Sequence, residues 1–200
     1  MYLEALRHPA WLFDYFRHGM PVFENWAPYS ENGPSAKAVL ASVGAQFPTA
    51  DHTWRDVENF RRLWPRPFIL KGILHPDDAV RAAELGVDGI VVSNHGARQL
   101  DTAPSSLEML PAIKAAVGDR IAILLDSGFR RGSDIVIALA LGANFVFLGR
   151  AALYGVAAFG LPGARRGIAI IQQEIEITLK QIGCPSLEVL GPDFLRDGDR

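Results

Sequence analysis

A histidine and an arginine stand three residues apart in the stretch "SNHGARQLD", residues 93–101, which directly follows the apolar run Gly89–Val92. Histidine is the usual general base near neutral pH. A guanidinium group presents the planar fork that fits a carboxylate. The pair His95 and Arg98 therefore predicts a site that holds a small carboxylic acid and takes a proton from it. A loop histidine considered alone is better explained by a structural role, so the prediction depends on the neighbouring strand ends.

Three other apolar runs also end in polar or glycine-containing segments. These are Lys71-Gly72, the stretch "DSGFRRGSD" at residues 126–134, and "LGR" at residues 148–150. Ligands of parallel α/β proteins bind beyond the carboxyl ends of the strands. Glycines let the backbone approach a ligand, and Arg130 and Arg150 supply positive charge, so the last two segments predict a phosphate site. Each loop taken alone is equally well explained as a glycine turn with solvated arginines.

The elements that must position these residues follow a regular order after residue 67. Continuous apolar runs at 68–70, 89–92, 121–125 and 145–148 are typical of parallel strands. Helical patterns follow them at 76–85, 106–117, 133–141 and 165–182, with Ser133 expected to cap the third. Repeating βα units predict a parallel sheet, either a barrel or a doubly wound fold.

The first part of the chain has a different pattern. Residues 1–52 are predicted to form an aromatic-rich excursion with a helix at 9–17, a flexible link at 29–44 and no strand. Residues 53–200 are predicted to form the βα region, which starts with a helix at 53–64. The sequence thus predicts two parts with separate roles.

Composition excludes several classes of protein. A net charge of -2 gives no electrostatic footprint for nucleic acid, and no His, Cys, Asp and Glu cluster has metal-ligand spacing. Cys184 is the one cysteine and cannot form an internal disulfide, which fits a reducing compartment. No apolar run reaches the roughly 18 residues of a membrane span. We expect a soluble cytoplasmic protein that binds no nucleic acid and no metal.

Four of these segments carry a resemblance to a known family. In order and spacing, "LKG", "SNHGARQLD", "DSGFRRGSDIVIALALGA" and "LGRA" resemble the C-terminal half of the FMN-dependent 2-hydroxy acid dehydrogenases and oxidases. The stretch "HPAWLFDYFRHGMP" resembles the bacterial lactate and mandelate dehydrogenase branch. The resemblance implies a TIM-type (β/α)8 barrel, to which this chain supplies four βα units, strands five to eight, plus N-terminal helices. It also implies FMN as the cofactor and a small L-2-hydroxy acid of the lactate or mandelate type as the substrate.

The resemblance also implies a role for each site residue. His95 matches the active-site base, Arg98 the residue that binds the substrate carboxylate, and Lys71 the lysine beside the flavin pyrimidine edge. The remaining matches are to flavin-contacting and phosphate-binding positions: Ser93, Asp126, Ser127, Gly128, Phe129, Arg130, Gly149 and Arg150. Loss of a proton to give a carbanion and transfer of a hydride both remain open. The electron acceptor implied is a quinone, a cytochrome or oxygen.

The family's first four strands have no counterpart in this sequence, and neither does the aspartate that partners the catalytic histidine. The chain is therefore expected either to be missing an N-terminal half or to form a homo-oligomer that closes the barrel. Alternative functions are a non-redox barrel enzyme that binds a sugar phosphate, or a non-catalytic half-barrel. The resemblance implies membrane association for the region of residues 1–50. Its aromatic residues would serve either that peripheral contact with the inner membrane or packing onto a missing partner: Trp11, Phe13, Phe16, Phe23 and Trp26.

Overall fold

The structure is a computed structural model, and it describes residues 6–46 and 52–196. The chain forms two compact units, Met1–Trp54 and Arg55–Arg200. No helix in the described ranges combines the length and the apolar character that a transmembrane span requires.

Among the residues that the structure describes, the first unit contains two α-helices with a short 3₁₀ helix, Ala27–Tyr29, between them. Helix α1 spans Pro9–His18 and begins with a proline at its first position, which suits the fixed backbone angle of that residue. Helix α2 spans Ala36–Gln46 and buries Val39. The prediction of a flexible link at 29–44 is wrong, because Ser35 Oγ accepts a hydrogen bond from Ala38 N at 3.3 Å and so caps a run of good helix formers.

The second unit alternates helices and strands as the apolar runs predict. A helix comes first, and four strands then alternate with four helices: α3 Trp54–Leu63, β1 Ile69–Ile73, α4 Pro76–Glu84, β2 Gly89–Val92, α5 Ser106–Val117, β3 Ala122–Leu125, α6 Gly132–Ala140, β4 Phe145–Val146 and α7 Arg150–Gln181. The four predicted strands are confirmed. Two short 3₁₀ turns follow α7, at Leu187–Val189 and Pro192–Phe194.

The four strands form one parallel sheet in the order β1-β2-β3-β4. One face of the sheet is the core of the unit, where Ile90, Ile123 and Leu125 are fully buried. The opposite face is open, since Ile69 and Phe145 expose about half of their surface, at 47% and 53%. Sequential order in a parallel sheet brings every strand's carboxyl end to the same edge. The loops predicted to carry the chemistry therefore lie together.

Helix α7 is longer than predicted and is interrupted. The apolar stripe predicts a helix at 165–182, but the helical segment begins at Arg150 and breaks at Phe159 and Gly160. Gly160 has a φ of 57°, which glycine adopts at little cost. The turn brings Gly155 and Gly163 into backbone contact, so that neither position has room for a side chain. The sequence stripe missed the first segment because that segment packs through glycines instead of large apolar residues.

Replacing Gly163 by Ala is expected to destabilise the protein, because the added methyl group would overlap the backbone of Gly155. Overpacking of this kind lowers the free energy of unfolding by about 1–3 kcal/mol or more. Gly167→Ala is the matched control in the same helix, since its methyl group would lie 3.9 Å from the nearest atom. The control should raise stability slightly through helix propensity. Urea unfolding measures both, and equal midpoints for the two variants would contradict the prediction.

Candidate active site

The carboxyl ends of the strands and the N-terminus of α7 enclose one open cleft of about 220 Å³. Ten of the eleven predicted site residues line it: Lys71, His95, Arg98, Asp126, Ser127, Gly128, Phe129, Arg130, Gly149 and Arg150. Ser93 does not line the cleft and is only 2% exposed. Residues separated by up to 79 positions in the sequence are thus brought to one place. The roles of these residues remain predictions.

Lys71 and Asp126 form an ion pair in the cleft. The Lys71 ammonium also donates to Ser93 Oγ at 2.7 Å, and Ser127 Oγ donates to Asp126 Oδ1 at 2.8 Å. The Ser93 oxygen therefore accepts two hydrogen bonds, one from the Lys71 ammonium and one from the backbone N–H of His95 at 3.1 Å. This network joins the ends of β1, β2 and β3.

The network changes the acidity of Asp126. Partial burial raises the pKa of this carboxyl, but the hydrogen bonds from Lys71, Ser93 and Ser127 and the attraction of the Lys71 charge outweigh burial. The pKa of Asp126 therefore lies below its ordinary value of 3.8. The carboxylate is held ionised beside the lysine over the whole physiological range.

Asp126→Asn is expected to remove a pH-dependent part of the stability. A carboxyl whose pKa is lowered by folding stabilises the protein above its unfolded value, here 3.8, and this stabilisation is lost as the pH falls through the lower folded value. The wild type should therefore lose more stability than the variant between about pH 6 and pH 3. Urea unfolding across that range measures the difference, with the exposed Asp193→Asn as control. Parallel pH profiles for wild type and Asp126→Asn would refute the prediction.

His95 lies in a turn with an unusual backbone. The 3₁₀ turn His95–Ala97 has three successive left-handed residues, with φ values of 56°, 68° and 57° for His95, Gly96 and Ala97. Asn94 caps the turn, since its Oδ1 accepts from Ala97 N at 3.1 Å and its Nδ2 donates to Pro104 O at 3.1 Å. Non-glycine residues in this conformation cluster at functional sites. The turn places the imidazole in the cleft.

The side chains of His95 and Arg98 are both exposed on this loop. Among the described residues of the second unit, no side chain donates to or accepts from the His95 ring, and no carboxylate lies within 4 Å of the Arg98 guanidinium. Both groups are therefore available to a ligand.

The two arginines predicted to bind phosphate both line the cleft. Arg150 Nη2 donates to Gly96 O at 2.8 Å, and the Arg130 guanidinium lies 5.3 Å from the centre of the Tyr154 ring. Gly149 caps α7 without a side chain, so the positive end of that helix opens into the cleft. Phosphate binding by these groups remains a prediction, and the N-terminus of α7 is the helix end that supports it.

The N-terminus of α6 is occupied by the protein's own carboxylates. Gly132 N donates to Glu174 Oε2 at 2.8 Å, and the backbone N–H groups of Arg130 and Arg131 both donate to Asp134 Oδ2 at 3.0 Å. The expectation that Ser133 caps this helix is wrong, since the helix begins one residue earlier. The Asp134 carboxylate is a stronger acceptor for these N–H groups than the Ser133 hydroxyl, because it is charged.

Sequence reasoning missed several residues in or beside the site, among them Asn94, Phe147 and Tyr154. Asn94 could have been found, because asparagine commonly caps tight turns through its side chain. Phe147 and Tyr154 had no such signal. Phe147 lines the cleft just beyond β4, and Tyr154 lies on the segment of α7 that the apolar stripe did not predict.

The similarity of this chain to known proteins extends over nearly its whole length. The sequence matches the family of FMN-dependent dehydrogenases over residues 1–197. The chain belongs to this family. It is 44% identical to an (S)-mandelate dehydrogenase of Pseudomonas putida over 98% of its own length, and 42% identical to an L-lactate dehydrogenase of Pseudomonas paraeruginosa over 96%. A crystal structure of the monotopic membrane protein (S)-mandelate dehydrogenase superimposes with a TM-score of 0.90 at 44% identity, covering 98% of this chain and 51% of that one.

Membership of the FMN-dependent dehydrogenases explains the open sheet. The chain covers 48% and 51% of the two curated relatives, which is about half their length. Its four parallel strands are part of a (β/α)8 barrel, as the resemblance implied. The open face of the sheet is the face that a complete barrel encloses.

Proposed function

We propose that this chain carries the proton-transfer and substrate-binding half of an FMN-dependent enzyme that oxidises a small L-2-hydroxy acid to the 2-oxo acid. The observation that carries the proposal is the convergence of His95, Arg98 and Lys71 in one cleft at the carboxyl ends of parallel strands. Relatives named as mandelate and lactate dehydrogenases support this substrate class. The proposal concerns the assembled enzyme, since the chain spans about half the length of those relatives.

The donor groups of the cleft fit FMN. Arg130, Arg150 and the N-terminus of α7 match a phosphate group, because guanidinium groups and free backbone N–H groups are its usual partners. An added side chain at Gly128 or Gly149 would meet nothing within 4 Å, so the backbone there is open to a ligand. Lys71 lines the same cleft, and its positive charge would stabilise negative charge on a flavin bound there. When bound, the flavin accepts the two electrons that the substrate gives up.

The residues of the chain account for the rest of the reaction. The Arg98 guanidinium holds the substrate carboxylate, and His95 takes one proton from the hydroxy acid. Oxidation of the CH–OH carbon to C=O releases two electrons and two protons: His95 accepts one proton, and the second would pass with the two electrons to the bound flavin. The proposal is compatible with either order of proton and electron transfer.

An absorbance spectrum of the purified chain after addition of FMN tests the proposal. A protein-bound flavin band that bleaches when lactate or mandelate is added without oxygen supports it. Failure of the assembled protein to bind flavin would contradict the proposal, and a bound flavin that no 2-hydroxy acid bleaches points to a non-catalytic half-barrel. Re-oxidation with a quinone, a cytochrome or oxygen then identifies the electron acceptor.

We also propose that the first unit contacts a membrane surface. Trp11, Phe13 and Phe16 on α1 are 57%, 65% and 79% exposed, and Phe23 is 57% exposed beyond it. Aromatic side chains favour the membrane–water interface, and the similar mandelate dehydrogenase structure is described as monotopic. Sedimentation with phospholipid vesicles tests this, with Phe16→Ser expected to weaken binding and Phe60→Ser, on α3 of the second unit, to leave it unchanged. Failure of the wild type to sediment would contradict it.

A further inference from the structure

We propose that Ser127 is the positioning residue that holds the His95 turn against the Lys71–Asp126 pair. The inference rests on the proposed function, because it assigns Ser127 a part in placing the proposed base. It differs from the cofactor contact that the sequence implies for the same residue. The evidence is the pattern of hydrogen bonds on the backbone of the turn.

Three successive backbone amides of the turn each donate to a side-chain oxygen. His95 N donates to Ser93 Oγ at 3.1 Å, Gly96 N to Ser127 Oγ at 3.0 Å, and Ala97 N to Asn94 Oδ1 at 3.1 Å. Left-handed backbone is strained for non-glycine residues. Such a turn persists only where its surroundings hold it, and these three bonds hold its amides, while Arg150 Nη2 donates to the carbonyl of Gly96 at 2.8 Å.

The three acceptors are not equivalent. Ser93 and Asn94 are sequence neighbours of the turn and lie at the same strand end, although Ser93 Oγ also accepts from Lys71 at 2.7 Å. Ser127 lies 31 residues away, in the loop after β3. Its hydroxyl donates to Asp126 Oδ1 at 2.8 Å while it accepts from Gly96, and Asp126 in turn pairs with Lys71. The hydroxyl thus connects the amide beside the base to the charged pair.

The backbone of Ser127 gives independent support. Its φ is 79°, a left-handed value that suits glycine and strains serine. Glycine at this position would remove the strain but would also remove the hydroxyl. A serine there is best explained by what its oxygen does: it donates to Asp126, accepts from Gly96 and lies 3.5 Å from Ser93 Oγ.

The first test needs no flavin. Amide hydrogen exchange at Gly96 and the imidazole NMR signal of His95 are measured in the wild-type chain, Ser127→Ala and Ser127→Gly. Ser105→Ala is the matched control, since Ser105 Oγ also accepts one backbone N–H, that of Glu108, at the start of α5 and outside the cleft. Loss of one such bond should speed Gly96 exchange about five- to tenfold. The His95 signal should shift while those of the other four histidines do not.

Ser127→Gly keeps the test decisive if Ser127→Ala folds poorly, because glycine relieves the left-handed strain. Both variants should give the faster exchange and the shifted His95 signal, and Ser105→Ala should give neither. Unchanged Gly96 exchange and an unchanged His95 signal in Ser127→Gly would overturn the proposal, whatever the chain does with flavin.

The second test compares the wild type and Ser127→Gly, both loaded with FMN. It separates a positioning role of Ser127 from a contact with the cofactor. At saturating FMN, Ser127→Gly should reduce the rate of flavin bleaching by a 2-hydroxy acid about five- to tenfold. Weaker FMN binding with an unchanged bleaching rate at saturation would assign Ser127 to the cofactor and overturn the positioning role. Absence of bleaching in the wild type rejects the proposed function, while the exchange measurement still decides whether Ser127 holds the turn.

Discussion

His95→Gln is expected to abolish bleaching of bound flavin by a 2-hydroxy acid. Glutamine preserves the size and polarity of the side chain but cannot accept the proton that the oxidation releases. Loss of a positioned general base lowers rates by about 10²- to 10⁴-fold. FMN binding should persist, since the phosphate donors lie on other loops. Anaerobic stopped-flow absorbance of the FMN-loaded chain measures the effect.

The matched control for this variant is His75→Gln. His75 Nδ1 accepts from Asp77 N at the start of α4, and the residue does not line the cleft. Glutamine at this position is expected to leave the bleaching rate unchanged and to cost some stability through the lost cap. Normal bleaching by His95→Gln would remove His95 from the reaction and with it the mechanism proposed above.

Arg98→Met is expected to raise the substrate concentration needed for half-maximal bleaching about 10- to 100-fold, because a charge-assisted hydrogen bond is worth about 1.5–3 kcal/mol. Methionine keeps much of the length and removes the charge. The bleaching rate at saturating substrate should fall less, since the base remains. The half-maximal substrate concentration of Arg98→Lys should lie between those of the wild type and Arg98→Met, because an ammonium group supplies the charge without the planar fork.

Arg62→Met is the control for the loss of an arginine. Arg62 is exposed on α3, where its guanidinium donates to Asn59 Oδ1 at 3.0 Å, and it lies outside the cleft. Its replacement should change neither the half-maximal substrate concentration nor the bleaching rate at saturating substrate. A substrate dependence for Arg98→Met that matches the wild type would assign carboxylate binding to another residue, and the cleft offers Arg130 and Arg150 as candidates.

Much of the second unit could be predicted from the sequence because its signals are local. Continuous apolar runs mark the four strands, since a parallel sheet lies between layers that exclude water. Polar residues directly after those runs mark the edge where a ligand binds, and this places His95, Arg98 and Lys71 in one cleft before any coordinates are known. Where packing depends on small residues, the same reasoning failed: the first segment of α7 contacts its neighbour through Gly155 and Gly163, which leave no apolar stripe.

The sequence by itself determined the strands, the strand ends and the family, because each depends on residues adjacent in the chain. The tertiary structure alone decided how the site is held together. The bond between Gly96 and Ser127 spans 31 residues, that between Arg150 and Gly96 spans 54, and the pair of Lys71 and Asp126 spans 55. No local pattern specifies such partners, since each is set by which loops the parallel sheet brings to the same edge.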